Sequence, residues 1–120
     1  MRITGGNLEK ENDRLVQVWA TMQKSYISRK PAECGHHFYS RHNRILRWDL
    51  LNIIPLTIEE HTKLHEGKLE INIGNPFRLQ YLKNMVNKNY KMFLLENEMT
   101  DFEFVKYCNK KLKEKISELS

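Results

Sequence analysis

The chain of 120 residues is poor in the residues that cross-link a fold or interrupt it. It has five glycines, three prolines and two cysteines, and Cys34 and Cys108 lie too far apart in sequence to form a CxxC pair. We therefore expect neither a disulfide framework nor a structural zinc site. We expect both thiols to be reduced, as in a cytosolic compartment. The fold must be held by its own hydrophobic core, which a chain of this length can bury.

Long apolar runs are also missing. No stretch approaches the 18 or more apolar residues of a membrane span, and the N-terminus lacks the apolar segment of a signal peptide. The sequence shows no internal repeat and no low-complexity linker. We therefore expect a single domain over residues 1–120, cytoplasmic and without a membrane partner.

Positive charge is in excess and unevenly distributed. The net charge is +5 and the pI is about 9.2. Residues 24–47 and 78–91 are rich in lysine and arginine, with one acid in the first stretch and none in the second. Such stretches can contact the phosphates of a nucleic acid without reading its sequence, although a solvated cationic surface explains the charge equally well. The candidate contacts are Arg41, Arg44, Arg47, Arg78 and Lys83.

One of these candidates has a specific alternative. Arg47 lies two positions before Asp49, and an ion pair between the two would remove Arg47 from any phosphate-binding surface. The two interpretations of Arg47 stay open at the level of sequence.

The first half of the chain is predicted to form a helix and then two strands. Helical spacing of apolar residues predicts a helix from Asn7, which can cap it, to about Ser28, after a loose tail over residues 1–6. Two short strands are predicted over residues 34–40 and about 48–54, on either side of an arginine-rich turn.

The second half is predicted to be helical. Thr57 with Glu60 and Thr100 with Glu103 match the capping box, and an Asn-Pro pair marks a further helix start. The fold class is therefore α+β, with an N-terminal helix and two C-terminal helices flanking a strand–turn–strand–helix unit. The C-terminal helices can supply a homodimer interface. The predicted helices run from Thr57 to about Gly67, from Pro76 to about Glu96, and from Asp101 to near Leu119.

Four of the five histidines belong to one spaced set, and the set predicts a metal site. His61 and His65 lie four apart, so on a helix their Cβ atoms are about 5–6 Å apart and both imidazoles can hold one divalent ion. One member of the His36-His37 pair would complete a three-histidine site that leaves positions open for water and phosphate. The other member can then deprotonate water. Asn52 is expected to bridge backbone groups and hold the strand that carries His37.

Each part of this set has a simpler explanation when it is taken alone. Adjacent histidines are usually surface residues, and two histidines at helical spacing are often incidental. Their order, their spacings and the helix cap before the last pair together favour a site. The remaining histidine, His42, is predicted to be a surface turn residue rather than a fourth ligand, and Cys34 to be a small buried residue.

The segments CGHHFYSR, WDLLNIIPLT and EEHTKLHEGK resemble the HNH endonucleases, which have a ββα-metal fold. The motif is similar to that of the DNase colicins, and the wider chain is similar to phage recombination nucleases of the NinG type. The resemblance implies that His36, His61 and His65 bind the metal. It also implies that His37 is the general base and that Asn52 orients it.

The same resemblance implies a function. The expected activity is metal-dependent hydrolysis of DNA, duplex or branched, that leaves a 3′-hydroxyl and a 5′-phosphate. Bacteriophage origin, action in the bacterial cytoplasm and a role in DNA recombination would fit it. One divalent ion is expected; three imidazoles favour zinc or nickel, whereas magnesium or manganese prefers oxygen ligands. A non-catalytic nucleic-acid-binding module with the same fold is the alternative.

Overall fold

Five α-helices and a two-stranded antiparallel sheet make up the α+β fold of residues 5–120, the part of the chain that the computed structural model describes. A short 3-10 turn, Leu50–Asn52, leads directly into the second strand. No helix in this part of the chain is long and apolar enough to cross a membrane. The elements are α1 (Gly5–Thr21), β1 (Cys34–His37), β2 (Ile53–Leu56), α2 (Ile58–His65), α3 (Pro76–Val86), α4 (Tyr90–Glu96) and α5 (Asp101–Leu119).

The first helix differs from its prediction at both ends. It begins at Gly5, so Asn7 lies inside the helix and is not its cap, and it ends at Thr21, before the predicted Ser28. The hydroxyl of buried Ser25 accepts hydrogen bonds from the backbone N–H groups of residues 27 and 28, which competes with helical bonding. Residues 24–31 close as a small hairpin instead. Positions 1–4 of the predicted tail lie outside the described residues.

The strands are shorter than predicted. β1 and β2 have four residues each, and residues 38–52 form a long connection between them. The predicted second strand began at about residue 48, but Asp49 caps the 3-10 turn by accepting a hydrogen bond from the N–H of Leu51 at 3.0 Å. The paired residues are Cys34 with Leu56, Gly35 with Pro55, His36 with Ile54 and His37 with Ile53.

Three helices follow α2 in the described chain, where two were predicted. The predicted helix that reached Glu96 is interrupted because the side chain of Asn89 caps a new helix, accepting a hydrogen bond from the N–H of Met92 at 3.1 Å. The capping boxes at Thr57 and Thr100 are both present, and α5 has the predicted bounds. Gly67 has a φ of 73°, as expected for the residue that ends α2.

Two hydrophobic clusters lie on opposite faces of the sheet because side chains alternate along a strand. Ile53 joins the cluster between α1 and α5, whereas Ile54 and Leu56 join the cluster that includes α3. α1 approaches β1 so closely that a Cβ added to Gly35 would lie 2.9 Å from the Cβ of Ala20. Only glycine fits at this position, and α1 is thereby held against the strand that carries the histidine pair.

Candidate metal centre

The side chains of the two adjacent histidines lie on opposite faces of the sheet because the two residues follow each other on a strand. His36 pairs with Ile54 and faces α2, whereas His37 lies on the other face of the sheet. This alternation is the physical reason why one member of the pair can join a metal site while its neighbour remains available for another role.

Three imidazoles from two elements converge. The capping box places the start of α2, so that His61 and His65 lie one turn apart with Nε2 atoms 3.0 Å from each other. The ring of His36 lies 5.3 Å from that of His61 and 5.9 Å from that of His65, centroid to centroid. Nitrogen atoms of all three lie within 4.8 Å of one another. Two nitrogens that bind one zinc ion at about 2.0–2.1 Å lie no more than about 4.2 Å apart, so the observed spacing is close to that of a shared ion.

The surroundings of His36 and His61 favour their neutral forms. Burial, followed by the proximity of His61 and His65, lowers the pKa of His36 from 6.5 to about 4. Burial and the proximity of His65 also lower the pKa of His61. Neutral imidazole is the form that binds metal, and a set made only of nitrogen donors suits zinc or nickel better than magnesium. The residues present therefore fit a divalent ion of that class.

The triad opens towards solvent and a shallow recess. His65 is exposed, and a recess of about 320 Å³ lies beside His36. A larger groove of about 1430 Å³ lies between α3 and α5, but no histidine lines it. Size alone therefore does not mark the candidate site. The recess is lined by Phe38, Leu64, Leu69, Glu70, Ile71 and Asn72.

His37 is held by a backbone carbonyl. Its Nε2 lies 2.9 Å from the carbonyl oxygen of Arg47. A carbonyl can only accept, so the neutral ring carries its proton on Nε2 and presents a lone pair on Nδ1. Burial lowers the pKa of His37 below its usual value of 6.5; the nearby charges of Arg41 and Arg47 lower it further, whereas the carbonyl bond opposes this. The ring is thus a neutral proton acceptor at neutral pH.

Asn52 forms the backbone bridge that the sequence predicted. Its buried side chain donates to the carbonyl oxygens of Tyr39 and Leu46 at 3.0 and 3.2 Å, and accepts from the N–H of Tyr39 at 2.9 Å. Its own carbonyl accepts from the N–H of Phe38 at 2.8 Å. These bonds fix the chain directly after His37 and define where β1 ends.

Three of the five predicted nucleic-acid contacts use their guanidinium groups inside the protein. Arg44 donates to both oxygens of Asp101, at 2.7 and 3.0 Å, and also pairs with Glu9. Arg78 donates to the carbonyls of residues 51 and 53, at 2.7 and 3.1 Å, which lie beside the outer edge of β2. Arg47 forms an ion pair with Asp13 at 2.7 Å. The alternative prediction, an ion pair with Asp49, is therefore wrong about the partner, although Arg47 does form an ion pair. Because these three guanidinium groups already have partners within the protein, we do not propose them as phosphate contacts.

The other two candidates remain accessible. Arg41 is exposed and makes one long bond of 3.4 Å to Asp13, and Lys83 is exposed on α3. Two lysines of the same basic stretch that are not among the five candidates, Lys88 and Lys91, are accessible as well. Both are exposed and neither forms an ion pair within residues 5–120. We call Arg41, Lys83, Lys88 and Lys91 the cationic surface.

A side-chain hydrogen bond joins the two parts of this surface. The Nδ2 of Asn43 donates to the carbonyl of Val86 at 3.2 Å, so the end of α3 lies against the turn that follows β1. Arg41, two positions before Asn43, lies close enough to influence the pKa of His37. This long-range bond has no sequence signature, because a single asparagine in a turn does not reveal its partner.

The remaining sequence predictions concern His42 and Cys34. His42 is an exposed turn residue, as predicted, and is not part of the converging triad. Cys34 is half-buried, and its thiol donates weakly to the carbonyl of Leu56 at 3.6 Å. Burial raises the pKa of this thiol, which favours the packing role over a metal-binding one.

Comparison with known proteins adds no family to these observations. The chain matches no protein-family model, no curated protein and no solved structure. The function must therefore be inferred from the residues and their geometry.

Proposed function

We propose that this protein is a metal-dependent DNA endonuclease of the HNH type, and that β1, β2 and α2 form its ββα-metal core. One observation carries the proposal. Three imidazoles converge from β1 and α2, while the next residue of β1, His37, is held with Nδ1 free to accept a proton. A site built only to stabilise a fold would be closed by four protein ligands, whereas three ligands leave room for a substrate.

The roles of the side chains follow from this arrangement. His36, His61 and His65 would hold one divalent ion, whose charge would stabilise negative charge on the phosphate and on the departing oxygen. His37 Nδ1 accepts a proton from the attacking water as the new bond from oxygen to phosphorus forms. The bond to the 3′-oxygen breaks, which leaves a 5′-phosphate and a 3′-hydroxyl that takes its proton from solvent. Asn52 keeps the backbone after His37 in place.

The cationic surface supports a nucleic acid as substrate. Its four side chains lie on the turn after β1 and on the segment from α3 to α4, and residues 78–91 contain no acid. Glu9 and Asp13, the acids beside the turn, are already paired with arginines. Phosphate binding by such a surface is independent of sequence and depends strongly on salt. Duplex and branched DNA are the substrates that we propose to compare.

Nicking of supercoiled plasmid tests the proposal directly. The wild-type chain should nick plasmid only with a divalent ion, and zinc, nickel, magnesium and manganese should be tried in turn. His37→Ala should lower the rate by about 10²–10⁴-fold, the usual contribution of general-base catalysis, and should retain metal affinity. His61→Ala should lose metal binding as well. His42→Ala is the matched control, because this exposed histidine lies outside the triad.

The outcomes separate the two candidate functions. Metal-dependent nicking that His42→Ala preserves and His37→Ala removes supports the nuclease. Binding of both metal and DNA without nicking under any of the four metals would end the nuclease proposal and favour a non-catalytic nucleic-acid-binding module. Loss of metal affinity in His37→Ala would instead show that His37 is a ligand.

A charge-matched pair of variants tests the cationic surface. Lys88→Gln with Lys91→Gln should make the dependence of log affinity on log salt shallower by about 0.9 for each phosphate that these lysines no longer neutralise. Lys106→Gln with Lys110→Gln removes the same charge from α5 and should leave that slope unchanged. Equal effects of the two double variants would show that net charge, and not this surface, controls binding.

A further inference from the structure

Asp13, on α1, lies at the centre of a cluster that includes the residue holding His37. Its carboxylate accepts hydrogen bonds from Arg47 Nε at 3.1 Å and Nη2 at 2.7 Å. It also accepts from the indole N–H of Trp48 at 2.9 Å and from Arg41 at 3.4 Å. One carboxylate on α1 thus fixes two consecutive residues of the β1–β2 connection.

The backbone carbonyl of the first of these residues is the partner of His37. Arg47 therefore binds Asp13 through its side chain and the His37 Nε2–H through its main chain. No other hydrogen bond to the His37 ring occurs within residues 5–120. The carbonyl decides which nitrogen of the ring carries the proton, and its position depends on how residues 47 and 48 are held.

The helix itself is fixed to the strand on the same side. The side-chain amide of Gln17 donates to the carbonyl of Gly35 at 3.1 Å and accepts from the N–H of Gly35 at 2.8 Å. Asp13 lies one helical turn before Gln17, and His37 lies two residues after Gly35. The helix is thereby placed to support His37 from outside the strand–strand–helix unit.

We propose that Asp13 is a positioning residue for His37: through Arg47 and Trp48 it holds the carbonyl that keeps the proton on Nε2 and leaves Nδ1 as the acceptor. The effect on the ring stands on the structure alone. The effect on cleavage rests on the proposed nuclease function.

Glu9 provides a matched control on the same helix. It lies one turn before Asp13 and pairs with Arg44, so Glu9→Gln and Asp13→Asn each remove one negative charge from α1 and disrupt arginine–carboxylate pairing there, with Arg44 in the first variant and with Arg47 and Arg41 in the second. No hydrogen bond connects Arg44 with His37 within the described chain. A general loss of stability would affect both variants, whereas a positioning role would appear only in Asp13→Asn.

The experiment measures the tautomer of His37 by ¹⁵N NMR of the imidazole at a pH where the ring is neutral. The wild-type chain and Glu9→Gln should both show the Nε2–H form. Asp13→Asn should show a mixture in which the Nδ1–H form has appeared. Arg47→Ala breaks the same link from the other side, keeps the carbonyl, and should give the same mixture; it also serves if Asp13→Asn does not fold.

Kinetics provide a second readout that is separable from the first. We expect Asp13→Asn to lower kcat by about 10-fold with KM little changed, a loss smaller than the 10²–10⁴-fold contribution of a whole general base. Glu9→Gln should leave kcat unchanged. A tautomer that is the same in Asp13→Asn, Arg47→Ala and the wild type would overturn the proposal. A shifted tautomer in a chain that cleaves no DNA would keep the positioning role and refute the nuclease function instead.

Discussion

Removing the side chain of Asn52 should destabilise the fold strongly, because this side chain bridges backbone groups on both sides of the arginine-rich turn. Asn52→Ala leaves the N–H and C=O of Tyr39 without their partner, whereas the C=O of Leu46 keeps the hydrogen bond from the N–H of Asp49 at 3.2 Å. An unsatisfied buried polar group costs about 1–3 kcal/mol, and because water can reach part of this site we expect a total for the two groups near the lower end, about 2–4 kcal/mol. That is a large share of the about 5–15 kcal/mol that stabilises a typical domain.

The substitution Asn52→Asp removes the amide donor of Asn52 without removing the side chain. It keeps the volume and the acceptor for Tyr39 N–H, but it turns the oxygen of a carboxylate towards the two carbonyls that now receive hydrogen bonds. Burial of a charge that faces two acceptors and has one backbone donor is costly, so Asn52→Asp should be at least as destabilising as Asn52→Ala at neutral pH.

Urea denaturation followed by circular dichroism measures both effects. The midpoint should fall while the slope of free energy against urea stays the same, which indicates a change in stability alone. Asn84→Ala is the control, because the side chain of this exposed asparagine accepts a hydrogen bond from the equally exposed Gln80, and its loss should change stability by less than about 0.5 kcal/mol. If Asn52→Ala costs no more than Asn84→Ala, the bridge does not hold the end of β1.

Two further predictions concern the packing of α5. Hydrogen bonds from Arg44 lower the pKa of Asp101 below its usual value of 3.8, despite some desolvation. The ionised carboxylate therefore stabilises the fold above pH 3.8, and this contribution is lost as the pH falls through the lowered pKa. When stability is measured as a function of pH, Asp101→Asn should weaken its dependence on pH below about 4. Asn12 is fully buried between α1 and α5, where it donates to the carbonyl of Val105 at 3.1 Å and accepts from Asn109 at 3.0 Å. Asn12→Leu should lower the free energy of unfolding by about 2–4 kcal/mol, since two polar groups lose their partner. A variant that is as stable as the wild type in urea would contradict this prediction.

Features set by neighbours in sequence were predictable. The two capping boxes and the bounds of α5 depend on residues three apart, and the histidine spacing on α2 follows from one turn of helix. The opposite orientation of His36 and His37 is likewise a property of any strand. These local rules placed His61 and His65 on one face of α2 and separated His36 from His37, whereas the choice of His36 as the third ligand came from the resemblance to the HNH endonucleases.

Features set by distant residues were not predictable. Arg44 and Arg47 have ordinary basic surroundings in the sequence, but their partners Glu9 and Asp13 lie more than 30 positions earlier on α1. The spacing of polar and apolar residues likewise does not reveal that Asn89 caps a new helix, since asparagine also occurs inside helices. Long-range charge pairing therefore decided which cations remain exposed, and with it the composition of the cationic surface.

Anomalous diffraction from crystals grown with one equivalent of zinc per chain would test the metal centre most directly. If these histidines form the metal centre, we expect one strong anomalous peak that lies about 2.0–2.1 Å from an imidazole nitrogen of each of His36, His61 and His65 and is not bonded to His37. The same crystals of His61→Ala should lose the peak. A peak that includes His37, a peak elsewhere on the chain, or zinc bound equally well by His61→Ala would contradict it.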